Sequence, residues 1–324
     1  MIKKTNSNGM EFLTITNGKN LKIIFNNLGA SIYCIYFDDV IMTPQVKNEI
    51  DFLNEDVRFG KNVGRVAGRI PNHTLTIDGK TYDLSWNERT NTLHGGHEGI
   101  ATKLFDSIVS ENADFIEVEY KYLSKDKESG FPGDALFVIT YQISKNRDEI
   151  NIKFNAKTNK TCPISLTTHT FFNLGDENLN DLSLYVDSKK YVRASYETLV
   201  QEEILDLPKC LDFNMKRKII ETIDDPLLNK GVIAGYDHYL LIDGNSKKPQ
   251  IVLENSKFIL NILTDYNSAV FYSDNNLDNY ELNNSSRQNR RGLAIEPQVS
   301  CMDDLLIKPD EIYSHFIKYE FLRK

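Results

Sequence analysis

The sequence predicts an all-β chain: a large antiparallel β-sandwich with few short helices. Two observations carry that reading. Alternating runs rich in Ile, Val, Tyr, Phe and Thr recur along the 324 residues, each bounded by Asn, Asp, Gly or Lys clusters. Windows of helical period are scarce, and no Pro/Gly/Ser-rich linker divides the chain. With 40% hydrophobic and 26% charged residues, the chain has ample material for a core. The expectation is a single domain over residues 1–324, with ten or more strands in two large packed sheets.

The elements follow in order. "LKIIF" (21–25), "SIYCIYF" (31–37), "FIEVEYKYL" (115–123), "ALFVITYQIS" (135–144) and "EINIKFNAKT" (149–158) each suit a strand with one buried face. "TIDGKTYDLS" reads as a hairpin, with Asp78-Gly79 at its turn. "TCPISLTTHTFFNLG" (161–175) reads as one long strand. Ile164, Leu166, Thr168, Thr170 and Phe172 would face one side; Ser165, Thr167, His169, Phe171 and Asn173 the other. "LSLYVDSKKYV" (182–192), "QIVLENSKFILNILTD" (250–265), "AVFYSD" (269–274) and "HFIKYEFL" (315–322) supply further strands. "ETIDDPLLNKG" (221–231) holds one short helical turn at most. "GLAIEPQ" is a buried strand, and Pro297 is expected to stop its ladder.

A net charge of -8 argues against nucleic-acid and anionic-membrane partners, which need a basic face. Cys34, Cys162, Cys210 and Cys301 form no CxxC pair, so free thiols in a reducing compartment are expected. "MIKKTNSNGM" lacks an apolar signal region, and no apolar run approaches the ~18–20 residues of a membrane helix. A soluble, cytoplasmic protein is expected.

Several segments depart from ordinary strand and turn filler. "VGRVAGRIPNHTL" sets Arg65 and Arg69 among small residues, either as a surface loop or where a guanidinium can approach a ligand. "NTLHGGHEGI" pairs His94 with His97. That spacing falls on a Gly-rich turn with no cysteine near, which disfavours a metal; His94 beside a pocket and His97 in solvent is the better reading. His169 is either a hydrogen-bonded core histidine or a working titratable group. In "GYDHYLLI", one of Asp237 and His238 points inward, and an inward aspartate needs a partner. Glu296 is a carboxylate at the end of a buried apolar strand. "SSRQNRRG" (285–292) reads as a solvated basic loop.

"GRVAGRI", "NTLHGG", "THTFFNLG", "GYDH" and "EPQ" together resemble, in order and spacing, the aldose 1-epimerase (galactose mutarotase) family. "SGFPGDALFVITYQI", "YNSAVFYSDNNL" and "LIKPDEIYSHFIKYEFL" extend the resemblance from about residue 10 to 322. It implies a galactose mutarotase-like supersandwich, a sugar-sized cleft without metal or cofactor, and a small-molecule aldohexose substrate. Monomer and homodimer both fit. Carried over, Glu296 matches the general base and His169 the general acid. His94 matches a second active-site histidine, Arg69 and Asp237 the residues that hold sugar hydroxyls, and Gln298 follows the base in its motif. The cleft-facing side of "TCPISLTTHTFFNLG" would then be the one that carries His169. Many relatives have Asn where this chain has Gly68, and Asn-His-Ser-Tyr where it has Thr168-His169-Thr170-Phe171.

Opening a hexose ring needs one base and one acid that can exchange roles. Glu and His, with reference pKa values of about 4.3 and 6.5, straddle that task. The expected resting state is an ionised Glu296 beside a protonated His169. Three other readings compete. A glycoside hydrolase using Asp237 and Glu296 would leave both histidines idle. A hexose-6-phosphate 1-epimerase would need further cations in the cleft, and beyond Arg69 the sequence places none there. A silent sugar-binding sandwich needs no paired acid and base.

Overall fold

The structure is a computed structural model, and it describes residues 1–243, 247–275, 279–284, 290–301 and 303–324. Strand alternation decides its architecture. In Phe115–Ser124, Ala135–Ser144 and Glu149–Thr158, every second side chain is buried, save the half-buried Tyr122. These strands pair antiparallel, so Tyr120, Ile139 and Phe154 fall in one row and bury together. They belong to a nine-stranded sheet. Its spatial order is Asp106–Glu111, Phe115–Ser124, Ala135–Ser144, Glu149–Thr158, Tyr313–Arg323, Phe258–Thr264, Ile251–Glu254, Ser183–Val186 and Arg217–Lys218. A five-stranded meander runs from Ile2–Ser7 to Val40–Ile41.

The third sheet has six strands, in the order Phe171–Phe172, Leu293–Gln298, Ser268–Tyr272, Asp237–Ile242, Ser188–Ala194 and Gln201–Asp206. Buried faces of all three sheets meet in one apolar cluster, which includes Ile23, Phe154, Leu240, Phe271 and Ile295. Helix is confined, among the described residues, to 3-10 turns of three to five residues, such as Ile219–Glu221. The all-β sandwich expectation and the Asp78-Gly79 hairpin (Thr74–Ile77 with Lys80–Asp83) both hold.

Several expectations change. "LSLYVDSKKYV" is two strands in two different sheets, parted at Asp187, whose backbone N–H donates to the Gln250 carbonyl. "QIVLENSKFILNILTD" is a hairpin. The Asn255 side-chain oxygen accepts from the N–H groups of Lys257 and Phe258 and so turns the chain. Residues 161–175 are not one strand. Cys162–Pro163, Thr167–Thr168 and Phe171–Phe172 each pair with a different partner: Leu306–Ile307, Asn62–Val63 and Leu293–Gln298. Both of its expected faces are therefore buried throughout residues 162–174.

Pro297 does not end its ladder, because pairing with Ser268–Tyr272 continues to Ser268 opposite Gln298. Of the expected basic loop, residues 285–289 lie outside the described residues, and Arg291 is fully buried. Its Nε lies 2.7 Å from Asp274 Oδ2, and Nη1 donates to the Tyr280 carbonyl. A buried ion pair is held by mutual need, since removing one partner strands the other charge and costs ~3–5 kcal/mol. Arg291→Met is expected to lower the unfolding free energy by about that amount, read as a lower urea midpoint at unchanged slope.

Candidate active site

The six-stranded sheet gives one face to the core and the other to a cleft. Register sets Tyr239 opposite Val270 and Val270 opposite Glu296, while Asp237 stands opposite Tyr272. Period two then puts Asp237, Tyr239, Val270, Tyr272, Glu296 and Gln298 on one face, and all six line the cleft. Their neighbours His238, Leu240, Phe271 and Ile295 face inward. So Asp237 enters the cleft while His238 is buried, its Nδ1 accepting from the Asp237 N–H. The cleft has a volume of about 320 Å³, the size of a small-molecule site.

The opposite wall comes from two short loops. Arg69–Ile70 pairs with Thr92–Leu93, which brings Arg69 beside His94. The His94 N–H donates to the Gly68 carbonyl (2.9 Å), and the Gly68 N–H donates to His94 Nδ1 (3.1 Å). With Nδ1 accepting, the neutral ring carries its proton on Nε2. Gly95 is required next to it: a Cβ there would lie 2.0 Å from the Gly64 carbonyl oxygen, and its φ is +89°. His97, three residues on, points away into solvent toward Glu55.

Arg69 is held on two sides. Its Nε and Nη2 donate to Glu88 at 2.6 and 2.9 Å, and Nη2 also donates to Asp237 at 3.2 Å. Burial alone would lower its pKa, but Asp237 and Glu88 outweigh that and raise it. Arg65, by contrast, is structural: its guanidinium donates to Ser124 Oγ and to the carbonyls of Pro132 and Lys125.

At the floor, His169 Nε2 lies 3.4 Å from Glu296 Oε1. Both groups are buried, and burial disfavours each charged form. Desolvation, helped by Asp237, pushes Glu296 up to about 8, against Arg58 and Arg69. Desolvation, helped by Arg58, pushes His169 down to about 3. Burial thus acts against the expected ionised Glu296 beside a protonated His169 and favours the reverse, a protonated carboxyl beside a neutral imidazole. His94 is also driven well below its usual value by burial, then by Arg58. His94, His169 and Glu296 offer ligand atoms within 4.8 Å of one another, so a metal ion, if one bound, would bind there.

The structure therefore brings His94, His169, Arg69, Asp237, Glu296 and Gln298 to one cleft. From the expected cleft face of residues 161–175, His169 alone lines it; Phe171 packs on Phe59 and Tyr272 instead. Among the lining residues that escaped the sequence reading are Glu88, Arg58 and Tyr239. Glu88 sits in a polar turn with no pattern to mark it. Arg58 stands between buried Val57 and Phe59. Tyr239 could have been found by parity, two places after Asp237.

Tyr239 also explains the glycine at position 68. A Cβ on Gly68 would lie 2.0 Å from the Tyr239 hydroxyl, so the tyrosine fills space that a side chain at 68 would need. Gly68→Ala is expected to lower stability, and Tyr239→Phe should relieve part of that loss. The double-mutant cycle in urea should give a coupling of about 1 kcal/mol. The remainder reflects the +83° φ of Gly68, which alanine tolerates poorly.

Comparison with known proteins identifies the family. Residues 11–320 match the family model for aldose 1-epimerase. Human galactose mutarotase is 27% identical over 287 residues, covering 83% of this chain and 80% of the relative. The Escherichia coli K12 aldose 1-epimerase is 28% identical over 286 residues, covering 82% and 80%. Among solved structures, the galactose 1-epimerase of Lactobacillus acidophilus superposes with a TM-score of 0.88 at 20% identity, covering 100% of this chain and 99% of that one. The chain belongs to the aldose 1-epimerase family and is an isomerase.

Proposed function

We propose that this cleft interconverts the α and β anomers of a free aldohexose, such as galactose or glucose, by acid–base ring opening. One observation carries the reading: among the described residues, several buried polar atoms in the cleft have no protein partner. They are Glu296 Oε2, both side-chain polar atoms of Gln298 and the Tyr239 hydroxyl. Each such group left unmet costs ~1–3 kcal/mol, so a ligand rich in hydroxyls is favoured there.

In this reading the carboxyl–imidazole pair shares one proton. Glu296 takes the proton of the C1 hydroxyl as His169 gives one to the ring oxygen, and the bond between C1 and that oxygen breaks. The C1–C2 bond rotates, and the steps reverse on the other face of the aldehyde. Before opening, the pair is carboxylate and imidazolium; after opening, it is carboxylic acid and imidazole. Both hold one proton, and the neutral arrangement that burial favours is the one that accompanies the open chain. His94, donating from Nε2, orients an oxygen of the ring or of the nascent aldehyde. Arg69 and Asp237, fixed by each other and by Glu88, hold sugar hydroxyls, and Gln298 adds a further donor and acceptor. Asp237 is committed to Arg69, which leaves it poorly placed as a hydrolase acid.

Glu296→Gln and His169→Asn should each lower polarimetric mutarotation of fresh α-D-galactose or α-D-glucose by about 10²–10⁴-fold at unchanged fold. Near-normal rates in either variant would sink the assignment. Asp237→Ala should raise KM at least as much as it lowers kcat. The pH dependence has a definite sign. The active pair holds one proton, so kcat/KM should be level through 6.5, fall above about 8 as Glu296 loses that proton, and fall at the acid end only as His169, lowered to about 3, gains a second. An inflection at the ordinary imidazole value would contradict the shared-proton pair.

A further inference from the structure

Glu88 lines the cleft but takes no part in the proposed proton transfers. Its carboxylate grips Arg69 along one edge, with Oε2 2.6 Å from Nε and Oε1 2.9 Å from Nη2. This is the two-point geometry that gives a guanidinium and a carboxylate a fixed mutual orientation. Neither partner is well solvated: the Arg69 side chain is 9% exposed and that of Glu88 22%. The turn that carries Glu88 is pinned to the strand beside Arg69. The Asn91 N–H donates to the Glu88 carbonyl, and the Leu93 N–H donates to Asn87 Oδ1. Leu93 is the residue that stands opposite Arg69 in the strand pair.

That grip leaves a defined remainder. A guanidinium has five N–H groups in a planar fork. Glu88 takes one from Nε and one from Nη2, and Asp237 Oδ2 takes the other from Nη2 at 3.2 Å. Among the described residues, Arg69 Nη1 and Asp237 Oδ1 make no hydrogen bond, and neither atom is sealed from the cleft. A donor and an acceptor thus stand side by side, joined through the single contact of Nη2 with Oδ2. One sugar hydroxyl can accept from the first while it or its neighbour donates to the second. Without Glu88 the Nε–Nη2 edge would be vacant. A carboxylate beside an open guanidinium edge closes on it with both oxygens. Asp237 would then commit Oδ1 to Arg69 and have none to offer a ligand.

We propose that Glu88 is a positioning residue for substrate binding. By occupying the Nε–Nη2 edge of Arg69 it limits Asp237 to one contact, and so keeps Arg69 Nη1 and Asp237 Oδ1 open together for the hydroxyls of the sugar. This rests on the anomer-interconverting reading above and adds to it the residue that holds its hydroxyl clamp open.

The test is Glu88→Gln, alone and combined with Arg69→Met, in polarimetric mutarotation of α-D-glucose and α-D-galactose. Glutamine keeps the shape but loses the charge and one of the two acceptors. Alone, it should raise KM about tenfold and change kcat less than about twofold, because the acid and the base are untouched. Added to Arg69→Met, it should change kcat/KM less than about twofold, since a residue that acts through Arg69 has nothing to act on once the guanidinium is gone. Glu88→Asp retains the charge and should recover part of the KM. Sugar calorimetry on the Glu296→Gln background reads binding apart from turnover, and urea unfolding of each variant reads stability apart from both. An unmoved KM in Glu88→Gln, a fall in kcat at constant KM, or the same loss of kcat/KM with and without Arg69 overturns the proposal. So does a lower urea midpoint as the sole effect, which would make Glu88 merely structural. If the wild type accelerates neither sugar while calorimetry still shows weaker binding in Glu88→Gln, the anomer reading fails and the role of Glu88 stands.

Discussion

The register that sets Tyr239 opposite Val270, and Val270 opposite Glu296, fixes the whole cleft floor. Side chains on a strand alternate between faces, so a slip of one residue would carry Glu296 and Gln298 into the core and bring Ile295 out. The apolar row of Leu240, Phe271 and Ile295 prevents that slip, because all three are buried in the main cluster. Core packing and site geometry are thus two faces of one constraint. The facing wall, with His94 and Arg69, is secured separately by the paired hydrogen bonds between His94 and Gly68.

That geometry places ionisable groups where water is scarce. A carboxyl and an imidazole 3.4 Å apart, both buried, are each pushed toward the uncharged form. Arg69 answers the same problem differently, by meeting two carboxylates. The result is a cleft in which one ion pair network is balanced and the carboxyl–imidazole pair is driven toward its uncharged form. For the proposed reaction, such a site would need little reorganisation as a hydroxyl proton moved, because its dipoles and charges are already set.

Much of this was legible in the sequence, for identifiable reasons. Strands such as Ala135–Ser144 carry their period plainly, and Glu296 and Gln298 share a face by simple alternation. The motif order pointed to the histidines, Arg69 and Asp237. What stayed hidden depends on distant partners. Residues 161–175 look like one strand because both faces are buried, yet the burial comes from three separate pairings. Arg291 looks solvated until Asp274 is beside it. The protonation state that burial favours follows from desolvation, which no local pattern records. Arg58 lies in "EDVRFG", where nothing local shows that its side chain reaches the cleft.

Strand Tyr313–Arg323 lies inside the nine-stranded sheet, between Glu149–Thr158 and Phe258–Thr264. Ile152 and Ile262 therefore wait for Ile317 and Tyr319, which leave the ribosome long after Ile152. Until then two apolar strands present open edges, the condition that invites pairing with other chains. Such non-local closure makes folding slow relative to local contacts. During synthesis, the interval between these segments is when those two edges stand open to other chains.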